Sequence, residues 1–225
     1  MGVGGLVKRV AWAVVALLAG AAVAEENAGE KAMQKLPGPK TNGTMSVEAA
    51  IAARRSVRAF AGAVLSDQEL SQLLWAAQGI TDARGRFRAA PSAGGTYPLV
   101  TYLVTSNGVF RYHPKPHALE EVRAGDHRGA LAEAALGQAC VRQAGAVLAF
   151  AAVPERTTER YGVRGVMYIH MEAGHAAENI HLQAVALGLG SVAVGAFDDA
   201  AVAKVLGLPN GEVPLYLIPI GRPAK

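Results

Sequence analysis

Apolar Val47, Ala50 and Ile51 recur at helical spacing behind Ser46, a residue suited to an N-cap, so a helix is predicted that delivers Arg54 and Arg55 at its last turn. A second helix opens with the capping box Ser66-Asp67-Gln68-Glu69, lines Leu70, Leu73, Leu74 and Ala77 on one face, and ends at Gly79, expected as a left-handed terminator. Strand patterns follow at Leu99 to Thr105 and Val109 to Tyr112, joined through the hairpin signal Asn107-Gly108. After a helical segment from about Arg128 to Leu136, the unbroken apolar run Ala146 to Val153 predicts a central strand buried on both faces. Helix signals resume at Pro154, and Val166 to Leu187 is the longest helical pattern, with Ala173, Gly174, Ala177 and Ala184 implying close packing. A strand at Ser191 to Val194, a helix from about Asp198 to Leu206 and a last strand from Val213 to Ile220 complete the reading.

The N-terminal pattern is of another kind. Lys8-Arg9 precedes the apolar run Val10 to Ala19 and then Ala22-Val23-Ala24, a small-x-small cleavage pattern ahead of Glu25-Glu26. The run is shorter than the roughly 20 residues a bilayer span needs, so residues 1–24 read as a signal peptide rather than a permanent anchor, with an uncleaved anchor as the alternative. Residues 25–44 then form a polar linker and 45–225 one domain, and a periplasmic or secreted location follows without a stable membrane span after cleavage.

Charge narrows the ligand. The chain carries 22 Lys plus Arg against 18 Asp plus Glu, a net +4 that loses Lys8 and Arg9 with the leader. No basic stripe interleaved with aromatics appears, so nucleic acid is not an expected partner. Within this modest balance, Arg54-Arg55-Ser56-Val57-Arg58 concentrates three guanidinium groups and a hydroxyl, the donor set that matches phosphate oxygens bidentately. The loop Pro91-Ser92-Ala93-Gly94-Gly95-Thr96-Tyr97-Pro98 has the small residues that let backbone approach a ring, and Gly188 to Gly195 and Arg222 are further candidate contacts.

Other chemistries fit less well. Cys140 is the single cysteine and reads as a small buried hydrophobe. Glu172, His175, Glu178 and His181 stand at steps of three, but a carboxylate-bridged metal pair needs ligands from further helices, so no metal is expected and these side chains read as polar contacts across a helix interface. Ser92 lacks the Gly-x-Ser-x-Gly elbow of a hydrolase.

Taken together, the chain from about Ser46 to Pro223 resembles the flavin-dependent nitroreductase superfamily. Arg54 to Phe60 resembles its flavin-phosphate motif, and Pro91 to Leu99 resembles the loop of its SagB-type dehydrogenase branch. Tyr161-Gly162 through Tyr168-Ile169, with Glu172 to Asn179, is similar to the central helix of that branch, and Ala186 to Phe197 to its flavin-facing glycine segment. The resemblance implies an α+β sandwich of mainly antiparallel sheet flanked by helices, with a long central interface helix and FMN held noncovalently in a homodimer. It further implies that Arg54, Arg55, Ser56, Arg58 and Arg222 hold the ribityl phosphate, while Pro91, Ser92, Ala93, Gly94, Gly195 and Ala196 border the isoalloxazine. The implied activity is hydride transfer between two substrates, one of them a small molecule or a peptide, the alternative being a flavin-binding carrier without turnover. In members of the branch that oxidise azolines a lysine–tyrosine pair acts as base. Here Arg160-Tyr161 stands in its place, and because arginine does not deprotonate near neutral pH, Tyr161 is the catalytic candidate, or else an interface aromatic.

Overall fold

The computed structural model describes residues 33–224; the signal-peptide reading of 1–24, and residues 25–32 of the linker, lie outside them. No helix among the described residues is long and apolar enough to cross a membrane.

Among the described residues, seven strands form one sheet in the order β1-β4-β3-β2-β5-β7-β6, every pairing antiparallel. They are β1 (Met33–Lys35), β2 (Leu99–Val104), β3 (Gly108–His113), β4 (Ala118–Ala124), β5 (Ala146–Ala152), β6 (Gly190–Ser191) and β7 (Val213–Gly221). The helices are α1 (Val47–Ala53), α2 (Asp67–Gln78), α3 (Arg128–Ala134), α4 (Ala139–Gln143), α5 (Glu155–Tyr161), α6 (Arg164–Ala186) and α7 (Asp199–Leu206).

β5 explains the layering. All seven of its residues are buried, and because strand side chains alternate, Leu148 and Phe150 enter one core while Val147, Ala149 and Ala151 enter the other. The first core is closed by Leu73 and Leu74 of α2 and Ile169, Ala173, Ala177 and Ile180 of α6; the second by Leu131 of α3, Val141 of α4 and Val202 and Leu206 of α7. The fold is therefore the α+β sandwich expected, with helices on both faces of an antiparallel sheet. Leucine burial of this kind contributes about 1.5–3 kcal/mol per side chain.

Several local readings shift. The capping box is present, with Ser66 Oγ accepting from Glu69 N and Glu69 Oε2 accepting from Ser66 N at 2.8 Å. Gly79, however, is extended at φ −63°, not left-handed. Glycine is needed there for space, since a Cβ would fall 2.2 Å from Trp75 Cδ1. At the hairpin, Gly108 belongs to β3 rather than to the turn, and a Cβ on it would meet the Arg123 carbonyl oxygen at 2.6 Å. The polar segment 25–44 is not wholly a linker: Met33–Lys35 pairs with Lys35↔Ala118 and Met33↔Glu120 as an edge strand. β4 and α4 carry no clear periodic signal and were not expected. On α1 only Ala50 is buried, so Val47 and Ile51 stay exposed.

Candidate functional site

The arginine segment leaves α1 at Arg54 and runs along the short end of the sheet. Ser56 bridges to Ser191, Val57 N donates to the Ser191 carbonyl at 3.0 Å, and Ala61 N donates to the Arg222 carbonyl at 2.9 Å. Three stretches far apart in sequence (54–61, 190–191 and 221–223) are thus stitched together. Gly190 is glycine because Val57 packs on it, a Cβ there meeting Val57 Cβ at 2.7 Å.

The cations of this region differ in their commitments. Arg55 Nη1 donates to the carbonyls of Ala52 and Arg54 at 2.9 and 2.7 Å. Arg54 Nε lies 4.0 Å from Glu178 Oε1, and Arg222 Nη2 donates to Glu69 Oε1 at 2.6 Å. Arg58 is exposed, and among the described residues it has no hydrogen bond or ion pair. Partial burial pushes the Glu69 carboxyl up, but the Ser66 hydrogen bonds and the Arg222 charge outweigh it and hold the acid below its usual range. Behind the segment, His181 Nδ1 and Ser191 Oγ are 2.7 Å apart, and burial holds that imidazole below its usual range, helped by Arg54 and opposed by Glu178.

The second candidate loop is a tight turn. Ser92 Oγ accepts from Tyr97 N at 2.9 Å, the Ser92 carbonyl accepts from Gly95 N at 3.0 Å, and Gly94 sits at φ +61° inside the short 3-10 turn Ala93–Gly95. Tyr161, at the end of α5, is brought directly against it: a Cβ on Gly94 would lie 2.5 Å from the Tyr161 hydroxyl, and Arg160 Nη1 donates to the Gly94 carbonyl at 3.3 Å. Tyr161 also meets Tyr168 edge to face with centroids 5.2 Å apart. Gly195 and Ala196 lie elsewhere, Gly195 against the Tyr216 ring and the Ala196 carbonyl accepting from Gln138 Nε2 at 2.9 Å. No hydrogen bond or ion pair among the described residues joins them to Pro91–Gly94.

α6 links the two regions. Glu172 lies beside Ser92, Glu178 reaches Arg54 and His181 reaches Ser191. At about 1.5 Å rise per residue, the loop and the arginine segment meet this helix about 9–14 Å apart. Glu172 and His181 face inward while His175 and Glu178 are exposed, so the evenly spaced acids and histidines serve different faces. Among the described residues no group of three or more His, Cys, Asp or Glu is placed to hold a metal ion.

Glu172 is a residue whose importance the sequence did not disclose. It is 2% exposed and its Oε1 has no hydrogen-bond partner. Burial pushes its carboxyl up to about 7, against hydrogen bonding from Ser92 and the Arg88 charge. A carboxyl tuned to neutrality under a candidate site loop is a group able to hold or release a proton there.

The model of the Nitroreductase family matches residues 51–222. A Methanocaldococcus jannaschii protein assigned as a nitroreductase is 44% identical over 184 residues, covering 79% of this chain and 91% of that protein. A crystal structure of a nitroreductase-type protein from Ralstonia eutropha superposes with a TM-score of 0.75 at 29% identity, covering 88% of this chain and 92% of its own. The NADPH:FMN oxidoreductase of Vibrio harveyi shares the fold, with a TM-score of 0.59 at 24% identity and coverage of 80% and 69%. Motif, sheet topology and kinship agree, and the chain belongs to the nitroreductase family, whose members are generally flavin-dependent oxidoreductases.

Proposed function

We propose that this protein is an FMN-dependent oxidoreductase of the SagB-type dehydrogenase branch, passing a hydride between two substrates at a flavin held between two copies of the chain. The observation that carries the reading is the arrangement along α6: the arginine segment, tied to the helix through Arg54 and Glu178, at one station, and a glycine turn backed by a tyrosine at another. That separation suits a ligand with an anionic tail and a flat head.

Arg58 and Ser56 are the groups free to grip the tail, joined by Arg54 and Arg55; Arg222 would first exchange its Glu69 partner. Gly94 leaves the space over its backbone to the Tyr161 hydroxyl and the Arg160 guanidinium, which brings both to the edge of the turn that would border a ring. FMN, when bound, supplies the two-electron store that lets half-reactions alternate. Tyr161 is then the protein group positioned to move a proton at its hydroxyl, while Arg160 orients the turn through the Gly94 carbonyl.

The homodimer rests on apolar surface. Val47 and Ile51 on α1, and Val163, Val166, Met167 and Met171 along the N-terminal half of α6 and its approach, are exposed on two helices that pack together, and apolar surface of this kind marks interaction sites. Pairing of two copies across these helices buries it and adds a second wall to the flavin.

The predicted leader motivates a further part of the reading: an exported enzyme meets little NAD(P)H, so its electrons come from a small or peptidic substrate or from a membrane carrier. The test is direct. Purified protein should be yellow, release FMN on heating and elute as a dimer, and quinols should reduce it anaerobically faster than NADPH. A colourless folded protein that takes up no added FMN refutes the cofactor reading, and stable flavin that no donor or acceptor cycles favours a carrier.

A further inference from the structure

A second cationic site lies on the α2 and α6 side of the sheet, away from the Arg54–Arg58 segment. A cavity of about 130 Å³ is lined there by Gln78, Arg88, Thr101, Tyr112 and Arg156, drawn from the end of α2, the approach to the glycine turn, β2, β3 and α5. Gln78 and Thr101 are 1% and 2% exposed, yet Gln78 Nε2 and Thr101 Oγ1 have no hydrogen-bond partner. The Gln78 amide cannot be turned to relieve this, because its Oε1 accepts from Arg88 Nη1 at 2.9 Å. A buried polar atom left unsatisfied costs about 1–3 kcal/mol, so two of them on one cavity call for an occupant.

Charge decides what kind. The Arg88 guanidinium stacks 4.5 Å from the Tyr97 ring centroid and has no carboxylate within ion-pair distance among the described residues. Arg156, whose Nη1 donates to the Tyr97 carbonyl at 3.2 Å, adds a like charge that acts on Arg88. Arg111 also lines the cavity, but its Nη2 is committed to Glu212 Oε1 at 2.7 Å. Glu172 is the acid that acts on Arg88, and burial keeps it largely protonated below neutrality. Tyr97 and Tyr112 also act on Arg88, with Tyr112 pushed up by burial, and His113, which lines the same cavity, lies 2.9 Å from Glu120 Oε2. Water would satisfy Gln78 and Thr101 but leave the partly buried Arg88 without a counter-charge; an anion does both, with the exposed Arg156 closing over it from the solvent side. The volume is enough for an ion of sulfate size or a carboxylate headgroup.

We propose that this cavity is an anion site, distinct from the flavin-phosphate segment, which takes a small oxyanion between Arg88 and Arg156 with Gln78 Nε2 and Thr101 Oγ1 as neutral donors. Occupancy also braces the candidate ring-bordering loop, because both arginines hold Tyr97, whose backbone N–H is bound to Ser92 Oγ.

Calorimetric titration of sulfate into the purified protein, with chloride as the ionic-strength control, tests this. Acetate in a parallel titration separates a carboxylate site from one that prefers a tetrahedral ion. Saturable binding at one site per chain is expected, weakened at least tenfold by Arg156→Ala and by Thr101→Val. Arg156 is exposed and Thr101→Val conserves shape, so both variants should fold. Absence of saturable binding of either ion, or binding that persists unchanged in both variants, overturns the proposal. Because the substitutions locate the ion, the result stands whether or not the protein carries FMN.

Discussion

Two groups of arginines divide the cationic chemistry of this chain, and they are built in opposite ways. Arg54, Arg55 and Arg58 are neighbours in sequence, largely exposed, and reach outward from a segment pinned by backbone hydrogen bonds to Ser191 and Arg222. Arg88 and Arg156 come from distant stretches, converge on Tyr97 and share a cavity with buried neutral donors. An exposed cluster keeps its charges solvated until a ligand arrives and can grip a large molecule by its end. In the second group Arg88 is partly buried and has already lost part of its hydration, so it binds a small partner strongly or stands without a counter-charge, while Arg156 remains exposed.

The largest effect is expected from breaking the exposed group. If the proposed clamp holds FMN, Arg54→Ala with Arg58→Ala removes at least two charge-assisted hydrogen bonds to its phosphate, each worth about 1.5–3 kcal/mol, so FMN affinity should fall by more than 100-fold. Flavin-fluorescence titration measures this, and thermal stability without flavin should barely move, since these side chains pack on little. Stoichiometric FMN in the double variant would remove the segment from the site.

The cavity group is sharpened by pH. Folded Glu172 keeps its proton to about pH 7, whereas the unfolded chain releases it near the ordinary value of 4.5. Between these values the folded state binds a proton that the unfolded state lacks, so this group's stabilisation is fully present at the acid end and is lost as pH rises through the interval, by at most about 1.4 kcal/mol per pH unit. Glu172→Gln should flatten the decline in denaturation midpoints measured from pH 5 to 8. It should also remove any weakening of sulfate binding above pH 7, because the carboxylate that forms beside Arg88 is then absent.

The same contrast explains what was legible in the sequence. Contiguous motifs announce themselves: the Arg-Arg-Ser-x-Arg run, the Pro-Ser-Ala-Gly-Gly turn, the Ser66 box and the apolar β5 were all readable because their signal lies within a few residues. Tyr161 is singled out by resemblance alone, and its contact with Gly94 is a product of the fold. Arg88, Gln78, Thr101 and Arg156 each look like ordinary polar residues in isolation, and their meeting depends on α2, β2 and α5 together. Strands were missed for a related reason. β1 is exposed at all three residues and β4 carries Glu120, Glu121 and Arg123, so backbone pairing with little inward-facing apolar pattern defines them. Arg222 was readable as a cation after the last strand, but its partner Glu69 lies 153 residues away.

A smaller perturbation separates the turn from both arginine groups. Gly94→Ala forces an alanine to φ +61° and drives its Cβ to 2.5 Å from the Tyr161 hydroxyl. The left-handed backbone alone costs about 1–2 kcal/mol, and the tyrosine must move. Turnover should therefore drop with FMN affinity nearly unchanged, a kcat loss that Tyr161→Phe should share if the hydroxyl carries the proton. Equal loss of flavin and of activity in Gly94→Ala would mean instead that the turn serves binding alone.

The smallest effect tests whether Arg222 belongs to the exposed group. Ser66→Ala removes the cap hydrogen bond to Glu69 N and should lower stability by about 1 kcal/mol, or about 2–4 °C in Tm for a chain of this size, while leaving the Arg222 ion pair in place. Glu69→Gln acts on the same helix end but also neutralises the acid that holds Arg222. If Arg222 turns to the flavin phosphate, Glu69→Gln loses a similar increment of stability yet binds FMN more tightly than Ser66→Ala does. Equal FMN affinity in the two variants would leave Arg222 as a brace between α2 and the end of β7, and the exposed group would consist of the α1 arginines alone.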